Sequence, residues 1–194
     1  MKTLVSLAFC LVLGPATLSA QEAAEKPAAP PAMVLPKPGP EMARLRALVG
    51  TWHVEETLEP SVMGPGGKGH GVAHTHMGAG GFSFMVDYKS SAGPMKGFHG
   101  YGVVAWDADA KLYRQAWVDS MAPALMTSTG TWQGDTLVMD TESTLMGKPF
   151  KSRDTFTDIG PNGFTITSEM SMDGSPMKKV MTLVHKRAKA EAKK

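Results

Sequence analysis

"TWQGDTLVMDTESTLMGKPFKSRDTFTDIGPNGFTIT", Thr131 to Thr167, breaks into short runs rich in Thr, Val, Phe and Ile, separated by Gly, Pro, Asp and Asn. No run keeps apolar residues at the three-to-four spacing of a helix, and each is short enough to be a strand. "QGD" at 133–135, "MGKP" at 146–149 and "GPNG" at 160–163 supply the turns between them. The stretch therefore reads as consecutive β-hairpins.

The same punctuation continues outward, with "DADA" at 107–110 and "DGSP" at 173–176. Strands are expected near 50–58, 69–77, 81–90, 97–106, 111–120, 125–133, 136–145, 148–158, 163–172 and 177–187. About ten strands joined by tight turns form an up-and-down meander, and closing it into a barrel removes the exposed edges. The fold class is all-β: an antiparallel barrel, with a β-sandwich as the alternative. Ahead of the first strand, Pro40 suits a first helical turn, and "EMARLRALV" puts Met42, Leu45, Leu48 and Val49 on one face of a short amphipathic helix that would close one end.

Alternation along the strands places Leu112, Ala116, Val118, Met126, Trp132, Leu137, Met139, Phe150, Phe156, Phe164, Ile166, Met170, Val180 and Val184 inside. The other parity carries Asp119, Asp140, Glu142, Lys151, Arg153, Glu169, Lys179 and His185, and is expected to face water.

With 194 residues, 42% of them hydrophobic and a formal net charge of +2, the chain fits one globular domain rather than a disordered or nucleic-acid-coating protein. Its ends differ in kind. Lys2, the apolar run Leu4–Leu13, Gly14-Pro15 and "TLSA" form a secretory signal peptide over 1–20. Export to a periplasm or the medium is expected. The run is too short to span a bilayer, and no later segment reaches the ~18 apolar residues that spanning needs, so no integral membrane segment remains after signal removal. Residues 21–39, rich in Pro and Ala, form a linker, 40–187 the barrel domain, and 188–194 a basic tail. The single cysteine, Cys10, lies in the signal, which excludes disulfides, thiolate ligands and a cysteine nucleophile from the exported protein.

The run "GYGVVAWDADAKLYRQAWVDSM" resembles the signature of a bacterial family known as domain of unknown function 1579 (DUF1579). Gly100, Gly102, Trp106, Asp107, Tyr113, Trp117, Asp119, Ser120 and Met121 carry the resemblance. "LVGTW" at 48–52, "GAGGFSF" at 78–84, "SRD" at 152–154 and "LVHKR" at 183–187 are also similar to the family's segments. The resemblance implies a lipocalin-like, calycin-type barrel and leaves the activity unassigned, because fold does not dictate chemistry. It also implies that Trp52 plugs one barrel end with Arg187 packed across it.

Three groups are candidates for chemistry. His74 and His76 share one strand face roughly 7 Å apart, close enough to reach one metal ion, with His70 nearby. The 15 methionines could supply soft thioether ligands for copper(I), or simply adaptable packing. Tyr101, Tyr113, Trp117, Asp119 and Arg153 would form a ligand site if their parity lined the interior: Arg153 would hold an anionic group while the aromatic rings stack on an apolar body. Asp154 and Arg114 fall on the apolar parity, as a buried pair or as pocket polar groups. No G-x-S-x-G, H-E-x-x-H or EF-hand loop is present, and "GPGGKGHG" at 64–71 lacks the Ser or Thr and the following helix of a phosphate loop. No catalytic residue is assigned and no cofactor is required by the sequence.

The leading expectation is an exported barrel that binds a small apolar or amphipathic ligand, with no nucleic-acid partner. The alternatives are a metal- or haem-binding barrel using His74, His76 or His99, and a structural barrel that acts through protein contacts.

Overall fold

The computed structural model describes residues 33–189 apart from 62, 63, 123 and 146. The expected signal peptide, the linker up to residue 32, residues 190–194 of the tail, Met63 and Met146 lie outside the described residues. Met33, Val34 and Leu35 are exposed, and the compact unit begins at Pro36.

A short helix, α1 (Pro40–Arg44), tightens into a 3-10 turn at Leu45–Leu48. Ten strands follow: β1 (Gly50–Leu58), β2 (Gly67–Gly78), β3 (Ser83–Ala92), β4 (His99–Asp107), β5 (Leu112–Asp119), β6 (Met126–Gln133), β7 (Thr136–Leu145), β8 (Lys148–Gly160), β9 (Gly163–Met172) and β10 (Lys178–Arg187). Each pairs antiparallel with the next, and β1 pairs with both β2 and β10, so the sheet closes on itself. Closure rules out the sandwich, which would leave two sheets with free edges.

One end is sealed by the helical segment. Met42, Leu45 and Leu48 are buried from this short stretch, as one amphipathic face requires. Trp52 is completely buried beneath it; its Nε1 donates to the Leu48 carbonyl at 3.0 Å and lies 3.1 Å from Thr75 Oγ1, which itself donates to the same carbonyl at 2.6 Å. The Phe164 ring meets the indole edge-on at 5.0 Å. Arg187 covers the seal from outside, its Cζ 4.1 Å from the centre of the Trp52 ring, its Nη1 donating to the Val49 carbonyl at 3.2 Å and its Nε to the Pro161 carbonyl. Gly50 makes this possible: its φ of 154° is open to glycine, and a Cβ there would run into the Arg187 guanidinium. On the other flank of the seal, Tyr113 donates from its hydroxyl to the Glu41 carbonyl at 2.8 Å and accepts from Trp132 Nε1 at 3.1 Å, while Arg44 lies 4.0 Å over the Trp132 ring.

Two strands differ from the expected facing. In β5 both parities are apolar, and the aromatic set Tyr113 and Trp117 faces inward; Leu112, Ala116 and Val118 face out, with Val118 44% exposed. The barrel takes the large rings, which have both area to bury and a polar atom to pair, and leaves small aliphatics on its outer wall. In β10 the register against β9 shifts between Lys179 and Met181. Val180 is the extra residue of this bulge, so Leu183 and His185 turn inward and Val184 outward.

Candidate functional site: the barrel cavity

Above the Trp52 seal the barrel holds a cavity of about 300 Å³, at the small end of the range of ligand sites. The inner faces of β2, β3 and β4 contribute Ala73, Phe84, Val86 and Val104 to one wall. At the far end the loop between β3 and β4 brings Met95 and Phe98 to the mouth. Exposed Met121, Leu125 and Met177 stand on the neighbouring loops of that end.

Trp117 lies flat against β4 on the inside. Gly102 is its direct cross-strand partner, and a Cβ on either Gly100 or Gly102 would sit well inside contact distance of the indole carbons. The G-x-G of the sequence signature is therefore a shelf for this one ring. Trp117 Nε1 donates to Asp119 Oδ2 at 2.9 Å, and Asp119 Oδ1 accepts from the backbone N–H groups of Met121 and Ala122. Asp119 thus fixes both the ring and the turn that follows, an Asx-type cap. The next signature residue, Ser120, accepts from the His99 N–H at 3.1 Å and ties the same turn to β4.

The five residues proposed as a ligand site are not brought together. Trp117 lines the cavity, with Asp119 beside it at the rim. Tyr113 belongs to the sealed end and is spent on the helix. Tyr101 is 48% exposed on the outer wall, its ring tilted against that of His99 with centroids 4.4 Å apart, and Arg153 points outward into a bidentate pair with Asp140 at 2.7 and 3.2 Å. Arg153 shares that face because β7 and β8 place it directly opposite Asp140. Arg114 is likewise exposed and bound to Asp107 at 2.6 Å.

His70, His74 and His76 all lie exposed on the outer wall of β2. His74 Nδ1 is 3.2 Å from Thr51 Oγ1, and His99 Nε2 is 2.8 Å from Asp87 Oδ1. Among the described residues, no three His, Cys, Asp or Glu side chains are grouped so as to hold a metal ion.

Of the buried polar groups, Asp154 falls where the sequence reading set it as a possible pocket group, apart from Arg114, while His185 and Glu56 escaped that reading. His185 lines the cavity with its ring stacked on Phe164 at 4.0 Å; burial pushes its pKa down to about 4, and the Leu183 backbone opposes this without giving Nδ1 a well-formed hydrogen bond. Asp154, also in the lining, accepts from Ser168 Oγ at 2.5 Å; burial raises its pKa, only partly offset by that bond. Glu56 is 1% exposed and accepts a hydrogen bond from Tyr88, whose own pKa is raised chiefly by burial and then by that carboxylate. The second Glu56 oxygen rests over Gly69, outside the cavity lining and without a partner among the described residues.

A closed ten-stranded antiparallel barrel, plugged at one end by a helix and hollow behind the plug, defines a lipocalin-like protein. The chain belongs to the family described as "Protein of unknown function (DUF1579)", whose model matches residues 37–187. The solved structures that share the fold include two of low sequence identity to this chain. Rv2717c from M. tuberculosis is similar at 12% identity with a TM-score of 0.53, covering 78% of this chain and 99% of that one. The S-type phycobiliprotein lyase CPES from Guillardia theta is similar at 15% identity with a TM-score of 0.50, covering 79% of this chain and 100% of that one. No curated protein matches the sequence.

Proposed function

We propose that this protein is an exported carrier that holds one small, largely apolar molecule non-covalently inside the barrel. The observation that carries this reading is the cavity of about 300 Å³ enclosed behind the Trp52 seal. A core built only for stability closes to crystal-like packing, because unfilled volume costs contacts. Here Phe84, Phe150, Phe156 and Met139 line an opening instead of filling it. The apolar N-terminal run with its small-residue end supports export, and among the described residues no helix is long and apolar enough to cross a membrane.

Native mass spectrometry of protein recovered from the periplasm, together with titration of 1-anilinonaphthalene-8-sulfonate, tests the reading. A co-purified small molecule, or saturable dye binding that Val104→Trp abolishes by filling the cavity, is the expected result. A folded protein that is empty and takes up no dye overturns it. N-terminal sequencing of the same material is expected to begin at or within a few residues of Gln21; an intact Met1 would remove the export half.

A further inference from the structure

Gln115, Ser128, Thr141 and Ser152 lie on four successive strands, β5 to β8, and each is the direct cross-strand partner of the next. All four line the cavity. They form one polar rung across the inner wall of a barrel whose other inward positions are mostly apolar. At its centre, Ser128 Oγ and Thr141 Oγ1 are 2.6 Å apart. One residue pair further toward the seal on β8 and β9, Asp154 and Ser168 extend the polar strip.

The bonding within this rung is incomplete. A hydroxyl offers one donor and two acceptor sites, and the Ser128–Thr141 contact uses one proton between them, which leaves a donor and lone pairs free to face the cavity. The Gln115 amide and the Ser152 hydroxyl have no protein partner among the described residues, and neither is sealed away as a buried unsatisfied atom. They open onto the space they line. Polar groups without partners are expensive inside an apolar cavity unless something in it bonds them. Across the barrel, β2 and β3 present Ala73, Phe84 and Val86, and Thr75 spends its hydroxyl on the Leu48 carbonyl.

From this asymmetry we infer that the cavity recognises an apolar molecule carrying hydroxyl groups along one edge, that edge lying on the Gln115–Ser128–Thr141–Ser152 rung and the apolar remainder lying against β2–β4. The inference rests on the carrier function proposed above and narrows it to a ligand class. Donor and acceptor capacity are both present on the rung, which suits hydroxyl, itself donor and acceptor. No permanently charged side chain stands on the rung, so it offers no counter-ion to a charged head group.

Calorimetric titration with 2-naphthol and its methyl isostere 2-methylnaphthalene separates the alternatives. A wholly apolar cavity ranks the methyl compound first, because the hydroxyl loses water and gains nothing. The rung reverses that order in the parent protein, and Ser128→Ala/Thr141→Val, which removes both partners of the central pair together, restores it with a change in the affinity ratio of about tenfold or more. Should the double variant not fold by circular dichroism, Gln115→Leu makes the same comparison at the end of the rung. Binding of both compounds with the methyl isostere tighter in the parent overturns the inference and leaves the carrier function standing. A hydroxyl preference that survives both variants overturns the assignment to this wall. Binding of neither compound overturns the inference, while the carrier function stands or falls separately by the dye titration and native mass spectrometry above.

Discussion

The Arg187 guanidinium lies 4.1 Å above the centre of the Trp52 ring, and the two residues are direct partners in the pairing of β1 with β10. The last strand thus locks the plug set by the first, so the ring is closed by side chains as well as by backbone. Trp52→Ala leaves a void at the centre of the seal and two groups, the Leu48 carbonyl and Thr75 Oγ1, short of a donor. A loss of about 3–5 kcal/mol is expected from urea unfolding. Arg187→Met keeps the stem over the ring and removes the charge, for a smaller loss of about 0.5–2 kcal/mol. Equal stability of parent and Trp52→Ala would refute the plug.

The glycine shelf predicts a coupling. A Cβ at Gly102 collides with the six-membered ring of Trp117, so Gly102→Ala is expected to cost about 1–3 kcal/mol by overpacking. In a Trp117→Ala background the same change meets no ring, and its cost is expected to fall to a few tenths of a kcal/mol or reverse sign, since alanine also restricts the unfolded chain. A double-mutant cycle by chemical denaturation measures this. Additive effects would mean that the glycines serve something other than the indole.

Strand positions were readable because the turns are written in Gly, Pro, Asp and Asn, and tight turns also fix register. Ser128 and Thr141 lie equally far from the turn between β6 and β7, as do Thr141 and Ser152 from the turn between β7 and β8. Their alignment was therefore available to counting, although single Ser and Thr residues within strands carry no mark of it. Asp154 and Ser168 were harder: β8 shifts register between Thr157 and Gly160, which moves the pair by one position relative to the turn. The bulge at Val180 hid His185 in the same way, since nothing in "MKKVMTLVHKR" announces an extra residue. Tyr113, Trp117 and Asp119 stood out through the family signature, and their bonds are mainly architectural: one holds the helix, one lies on a shelf, one caps a turn. A signature shared for the sake of the fold draws attention to the scaffold before the cavity.

His185 makes stability depend on pH in a stated window. In the folded protein burial holds its pKa at about 4, against an ordinary value of 6.5, so between these values the unfolded chain binds a proton that the native state refuses. Stability contributed by this residue is complete above pH 6.5 and falls as pH drops toward 4, by about 3 kcal/mol over the window. His185→Gln is expected to flatten that part of the profile. Urea midpoints of both proteins at pH 7, 5.5 and 4 test it, the carboxylates common to both cancelling in the difference. Parallel profiles would show that the imidazole is not buried in its neutral form.

Asp154 gives the opposite sign. Burial raises its folded pKa above the ordinary 3.8, so the native state keeps its proton to higher pH than the unfolded chain does. As pH rises through this interval stability falls, and above the folded value the cost of holding the charge inside is felt in full. Asp154→Asn removes the charge and keeps a carbonyl oxygen to accept from Ser168 Oγ, which the parent holds at 2.5 Å. The variant is therefore expected to be more stable than the parent at pH 8, with the gap closing as pH falls toward 4. Thermal unfolding across that range reads the difference directly. A variant less stable than the parent at pH 8, with the gap unchanged at pH 4, would mean that the Asp154 carboxylate is held in place by a favourable partner rather than merely tolerated.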